Sequence, residues 1–527
     1  MTEPTLVAQS ETFNILQLPQ DVQLSILLAF NIRELVICKR MCRSLANLID
    51  DDICIRYKIE LARSGRIDGA PSVTVTVADR LTSLREHRAR FHAGDHPLKR
   101  VREQPFGSLA ALSSNGFVTT IAGGSVDLWR PSTTFSGIRE QKIGRSMRDL
   151  DLEGVNTGSC VADVSQDLLV FSRKDPDAIP LDCFIYSLSK GRPHPSASQC
   201  HISSSLGSED WADSRAQSDS IQVLGDLIAW NVHNLNGRHC EMRVINWKTG
   251  ITVWEFHNEF WWRCRLVSQS HVVVVTFESL LVYPINLHLK GPSAPSTSDT
   301  VLCILQLPAW SSIGFSRSLF VKSYIQFPPP LSPNDRPLYR HDPDLTLLTL
   351  YIRYIVDIPD HELRLDQYAM FIPISTINTR VEVSTPSPSP PGGSPHVVQW
   401  NDWGPTGTHI ARFDLESPCH FSPMGCSCAV AQRRRDPSGN LFLRVLVFDV
   451  HPWARPDPQH VKEASGLVHA TEPDTLLAGP AFTETIRTTF PFDVTRKDIP
   501  LTRDDRYPVV VLTEDGLLLV TSPVDIP

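Results

Sequence analysis

The sequence predicts a multidomain protein, an all-α segment near the amino end followed by a long all-β domain best read as an irregular β-propeller. Three observations predict it. Apolar residues recur at helical spacings of three and four between residues 18 and 92. Beyond Pro105 the period shortens to that of strands. Along that later stretch a single hairpin shape keeps returning. A chain of 527 residues also exceeds one ordinary core. The expected division is a flexible tail at 1–14, a helical hook at 15–64, a helical linker at 65–104 and the β domain at 105–527.

Leu18-Pro19 opens the first helix, because proline is tolerated at a helix start where its missing N–H costs nothing. Asp21 follows in the first turn, where the helix dipole favours a carboxylate. Val22, Ile26 and Phe30 form one apolar stripe, and Leu24, Leu27 and Leu28 a second. So apolar a helix needs cover on more than one side. A segment of about 45 residues has too little chain to supply it. Some of that surface is therefore expected to meet a partner protein.

Asn31 reads as an N-cap with Glu34 three residues on. Leu35, Cys38, Cys42, Leu45 and Ile49 then make one helical seam. Asp50-Asp51-Asp52 punctuates it and starts a further helix, with Ile53, Tyr57 and Leu61 as its buried stripe and Gly65 as its stop. Val77, Leu81, Leu84, Arg88 and Phe91 mark one more helix, ended by Gly94. Its many arginines read as a solvated face on a spacer.

The run LPQDVQLSILLAFNIRELVICKRMCRSLANLIDDDICIRY resembles the F-box. Leu18-Pro19 matches the family's opening. Val22, Ile26 and Leu27 match its first helix, Leu35 its second, and Cys42-Arg43-Ser44-Leu45 its third. Leu45 stands where the family often has Trp, Ile55 or its neighbour replaces a frequent later Trp, and both substitutions remain apolar. The resemblance implies a hook that binds a Skp-type adaptor through Leu18, Pro19, Val22, Ile26, Leu27 and Leu35, and through that adaptor a cullin. The β domain would then hold an unknown protein target. The chain would be a substrate receptor of an SCF-type cullin-RING ubiquitin ligase, with no cofactor and no bond chemistry of its own. Two alternatives stay open: an interaction scaffold that uses an F-box outside a ligase, and a propeller enzyme with helices attached. A plain helical subdomain remains the simpler account of the hook.

In the β region, Asp167–Phe171 and Cys183–Gly191 are repeated by Asp226–Trp230 and Arg243–Gly250 after a shift of 59 residues. His271–Tyr283, Pro508–Val520 and Phe117–Trp129 share the order strand, turn, strand. Such recurrence suits a propeller, whose hairpin-rich blades pack face to face. Val244–Gly250 resembles the closing strand of a WD-type blade, without the full Gly-His and Trp-Asp signature. Propeller-bearing F-box proteins are a known arrangement, and the degenerate blades resemble those of fungal members. About 420 residues suffice for six to eight blades of ~40–60 residues. Later blades are expected around Leu345–Ile377, His396–Val450 and Phe490–Val520. An irregular β-sandwich or two stacked β domains would fit the same strands. Pro/Ser-rich stretches at Gly191–Ser220, Gly291–Thr300, Phe327–Pro343, Ser384–Pro395 and Pro452–Pro480 read as protruding loops.

No phosphate-binding, dinucleotide or nucleophile-elbow motif occurs. His361-Glu362 begins a zinc-protease motif, but Leu365 replaces the second ligand. Cys419, His420, Cys426 and Cys428 cluster, and buried reduced thiols on strands explain them far better than a metal does. Arg433-Arg434-Arg435 reads as a charged hairpin tip, and Trp261, Trp262, Trp400 and Trp403 as β-core or recognition aromatics. A net charge of −8 speaks against a general nucleic-acid binder. No run approaches the ~20 apolar residues of a membrane span, and no secretory signal opens the sequence. Twelve unpatterned cysteines then suggest a reducing cytoplasmic or nuclear setting.

Overall fold

The computed structural model describes residues 15–522 apart from 73, 103–110, 113–117, 123–124, 134, 147–156, 174–180, 205–215, 235–239, 259–261, 288–300, 311–318, 326–336, 357–363, 385–394, 414–418, 455–481 and 503–504. The tail at 1–14, Trp261, His361, Glu362 and most of the Pro/Ser-rich stretches lie outside the described residues. What is described is mostly β, with helices concentrated at the amino end.

Four short helices come first: α1 Gln20–Ala29, α2 Ile32–Met41, α3 Arg43–Asp51 and α4 Ile53–Arg63. Asn31 and Glu34 form the expected capping box, with Glu34 N donating to Asn31 Oδ1 at 3.0 Å. Asp52 caps α4 by accepting from Ile55 N at 2.8 Å. The single seam expected from Leu35 to Ile49 is in fact two helices. Cys42 between them is extended (φ −156°, ψ 159°), so the chain bends while Leu35, Leu45 and Ile49 still turn inward. Gly65 ends the group with φ +60°, a conformation that side chains with a Cβ rarely adopt.

The segment expected to be a helical linker is more varied. Helix α5, Val77–His92, buries Leu81 and Leu84 and starts in a Thr76–Asp79 capping box. It is flanked by strands. Arg66–Asp68 pairs antiparallel with Tyr339–His341. Leu98–Arg102 pairs parallel with Leu517–Ser522, more than 400 positions away in the sequence. These residues are therefore built into the β architecture and are not a free spacer.

Beside that two-stranded pair, seven larger sheets follow in chain order among the described residues. The first lies within Ala111–Ser146, the second within Thr157–Ser203, the third within Ala216–Asn258 and the fourth within Arg263–Gln306. The fifth lies within Leu319–Phe413 and the sixth within His420–Pro500. The seventh joins Arg506–Leu512 and Leu517–Ser522 to Leu98–Arg102. Neighbouring strands within the first six are antiparallel, except for a parallel strand added to the fourth.

Side-chain alternation explains why these strands read as unbroken apolar runs. Successive side chains of a strand point to opposite faces, and a strand covered on both faces needs apolar residues on both. Val272 and Val274 pack towards the third sheet, and Val273 and Val275 towards the fifth. Leu168 and Val170 likewise face the third sheet, and Leu169 and Phe171 the first. Further cores join fifth to sixth through Phe371 and Phe448, and sixth to seventh through Val445 and Val510. Leu518 and Val520 of the seventh sheet pack with Trp129 of the first. Each of these seven sheets thus rests on two neighbours, and the order of contact is cyclic.

The repeat of 59 residues superposes second and third strands of adjacent sheets, Leu168–Arg173 on Leu227–Asn234 and Asp182–Ser187 on Cys240–Asn246. Its turn glycines share positive φ, +61° at Gly191 and +72° at Gly250. Val244–Gly250 does not close its sheet, since Ile251–Asn258 adds a fourth strand. The later boundaries also differ from expectation. Between the third and fourth strands of the fifth sheet the chain inserts α6, Ile374–Ser384, and α7, Trp400–Gly407. His396–Val398 between these helices joins the fourth sheet. Ile377, Val381 and Trp403 lie in the core shared by the fourth and fifth sheets.

A Cβ at Gly65 would run into the Cys426 thiol of the sixth sheet. Gly65→Ala should therefore cost about 2 kcal/mol or more, through the positive φ and the clash together. Differential scanning calorimetry should show a lowered first transition; an unchanged thermogram would refute this account of the helix–sheet contact.

Candidate functional site

The small helical module, residues 15–63, has a core of its own. Leu27, Leu35, Ile49 and Ile55 are fully enclosed, with Leu24, Phe30, Ile32, Cys38, Leu48 and Ile59 packed around them. Lys58 on α4 donates to the carbonyls of Leu28 and Phe30 at 2.6 Å each, satisfying the open end of α1 with a cation where the dipole favours one. Lys39 pairs with Asp50 across α2 and α3, but both are exposed and such a pair stabilises little.

The residues expected to hold a partner divide into two groups. Pro19 and Val22 are exposed, and Leu18 and Ile26 are half-buried. Leu27 and Leu35 are 0% exposed and offer no surface. Both lie in the expected apolar stripes, but the stripes alone do not say which apolar residues the module uses for itself. Leu45 and Ile55 are likewise interior.

Other residues replace them at the surface. The exposed large hydrophobics of the module are Leu16, Val22, Leu28, Ile37, Met41 and Ile53, six of nine such residues among the described ones. Ile37 is 52% and Met41 70% exposed. Separated by four positions along α2, they share one stripe. The signal is present in the sequence, because neither falls on the Leu35–Cys38–Cys42 seam. Ile53, expected to be buried, opens α4 and is exposed.

The module is fixed to the rest through α4. Tyr57 Oη donates to Asp68 Oδ1 at 2.6 Å, and burial together with that carboxylate pushes the phenol up. Arg80 on α5 donates to the same Asp68 oxygen at 2.7 Å and to the Ala70 carbonyl at 2.7 Å. Buried Glu60 is met by Arg85 at 3.8 Å and by Arg88. Three arginines that read as a solvated face are thus engaged at a junction.

The chemistry-bearing candidates of the sheets are placed as follows. Cys419, Cys426 and Cys428 are buried and His420 is exposed. Burial pushes the Cys419 and Cys428 thiols up to about 12, far from the thiolate a metal or a nucleophile needs. Cys426 donates to Asp449 at 3.3 Å. Among the described residues no group of three or more His, Cys, Asp or Glu is placed to hold a metal ion. The Arg433–Arg435 run leads into the expected hairpin tip, closed by Gly439 N donating to the Asp436 carbonyl at 2.9 Å. Trp262 stacks on Phe256, and Trp400 and Trp403 are buried on a helix and not on a strand. No helix of the described residues is long and apolar enough to cross a membrane.

No family model matches the chain, and no curated protein is similar to it. Among solved structures, Hsv2 of Kluyveromyces lactis is 13% identical with a TM-score of 0.25, over 51% of this chain and 68% of its own. An exo-beta-1,3-galactanase of Phanerochaete chrysosporium is 9% identical with a TM-score of 0.20, over 76% of this chain and 92% of its own. Likenesses this slight carry no argument, and the fold rests on the chain's own sheet order.

The module's two kinds of apolar residue separate under mutation. Leu27→Ala or Leu35→Ala should cost about 2–5 kcal/mol and lower amide protection across residues 20–63. Val22→Ala or Met41→Ala should stay within about 0.5 kcal/mol. Hydrogen exchange followed by mass spectrometry distinguishes the two classes, and equal effects would contradict the assignment.

Proposed function

We propose that the chain is the substrate receptor of an SCF-type cullin-RING ubiquitin ligase. Its F-box-like module would hold a Skp-type adaptor, and its seven sheets would form a degenerate β-propeller that holds the target protein. The observation that carries the reading is the crowding of exposed apolar side chains on the module, six of nine within residues 15–63. Helices this short keep Leu27, Leu35, Ile49 and Ile55 for themselves and leave Val22, Ile37 and Met41 for a partner. The cyclic packing of the sheets, with Trp129 against Leu518 and Val520, supports the propeller.

The mechanism would be proximity. A receptor raises the effective concentration of target lysines near a thioester carried by another subunit. No side chain of this protein would make or break a bond.

The direct test is titration calorimetry of the full chain with a Skp-type adaptor. Ile37→Asp/Met41→Asp should weaken binding roughly 30-fold, equivalent to about 2 kcal/mol, with an unchanged circular dichroism spectrum. Equal affinity of the two forms, or no binding by the parent chain, would sink the reading. Cullin recovered along with the adaptor supports a ligase receptor; adaptor recovered without cullin points to a scaffold.

A further inference from the structure

We propose that the helical segment is held on the sheets by an acid-sensitive latch, whose working groups are His341, His87 and His96 and whose socket is the turn around Glu514. The proposal stands independently of the adaptor-binding reading.

Three separate elements meet at the Thr513–Gly516 turn of the seventh sheet. Arg66 of the first short strand reaches Glu514 Oε1 at 3.3 Å, with the two side chains 6% and 11% exposed. His87 of α5 places Nε2 2.8 Å from the Glu514 carbonyl oxygen. His341, on the strand paired with Arg66–Asp68, brings Nε2 to 3.6 Å from Glu514 Oε1. Phe135 N donates to Asp515 Oδ1 at 3.2 Å, and the Phe135 ring stacks on both His87 and Tyr339. Further along, His96 Nε2 lies 2.8 Å from Thr495 Oγ1 of the sixth sheet, and Lys497 donates to the His96 carbonyl.

Burial is the main reason these imidazoles stay neutral, and cations already present at the junction add to it. Arg66 and Glu514 already compensate one another. His341 is fully enclosed, neither ring nitrogen has a hydrogen-bond partner, and Arg66 and His87 face it beside Glu514. A proton there would add a second buried cation next to a guanidinium. His87 is faced by Arg66 and Arg90 as well as by Asp515, and burial holds it down at about 4. His96 is faced by Lys497, His87 and Asp95, and burial again holds it at about 4. His92 works in the opposite sense, because Asp493 hydrogen-bonds it and raises it. Asp449, which also favours protonated His92, is itself paired with His451.

The direction follows from proton counting. His87 and His96 bind protons less readily when docked, so docking is fully stabilised above their ordinary value of 6.5. That stabilisation is lost as pH falls from 6.5 towards about 4. His92 contributes most below 6.5 and loses its contribution as pH rises through its raised value. Three imidazoles therefore favour release in acid and one resists it.

Hydrogen exchange of the full chain at about pH 7.5 and about pH 5, corrected for intrinsic rates, tests this. Peptides covering Val77–His92 and Tyr339–His341 should lose protection roughly tenfold or more at the lower pH, while Val272–Val275 keeps its own. A folded His87→Gln/His341→Gln variant should lose clearly less protection at the lower pH, keeping only the share that His96 carries. Unchanged protection of the junction, uniform loss over all sheets, or an undiminished pH response in the folded variant would each overturn the latch. Should the variant not fold, the parent protein alone decides the matter.

Discussion

Each strand at the heart of this protein is apolar on both faces, and that constraint shapes the rest. A sheet with Val272 and Val274 on one side and Val273 and Val275 on the other cannot leave either side in water. Fully burying one such side chain is worth about 1.5–3 kcal/mol, so an uncovered face would be costly many times over. Sheets stacked in a line would still leave two end faces bare. Packing the seventh sheet on the first through Trp129, Leu518 and Val520 removes both ends together. The excursion through α6 and α7 serves the same need, since Ile377, Val381 and Trp403 complete the core between the fourth and fifth sheets.

The helical end is tied into that arrangement by short-range chemistry at several separate points. Gly65 brings the backbone close to the sixth sheet, Asp342 N donates to the Gly65 carbonyl at 3.1 Å, and Arg66 carries its charge to Glu514. A buried ion pair of this kind adds little by itself, yet removing one partner leaves the other charge stranded. The module's exposed apolar side chains and the sheets are consequently joined through α4, α5 and two strands. Orientation between them is set by packing and not by a tether.

Much of this was legible in the sequence, and the failures have physical causes. Helix boundaries at Asn31, Asp52, Gly65 and Gly94 were readable because caps and positive-φ turns depend on local chemistry. The 59-residue repeat was readable because adjacent sheets impose the same strand and turn lengths. The division of apolar residues between core and surface was not. Leu27 and Val22 have the same local credentials, and only the approach of α2, α3 and α4 separates them. Strand Leu98–Arg102 was missed because its partner lies near the far end of the chain, which no local period can report. The break at Cys42 leaves no signature in spacing, since both helices keep the same inward face. Helices α6 and α7 were hidden by the apolar strands around them.

The parallel pairing of Leu98–Arg102 with Leu517–Ser522 bears on how the polypeptide is made. A ribosome delivers the first of these segments long before the second. Until Leu517–Ser522 has been made, the nascent chain holds a strand without its mate, and Trp129 of the first sheet lacks Leu518 and Val520. Contacts so distant in sequence form late and leave sticky intermediates exposed meanwhile. A stop anywhere before residue 506 would leave the first and sixth sheets without the sheet that packs between them, so quality control of this protein should discriminate sharply against such products.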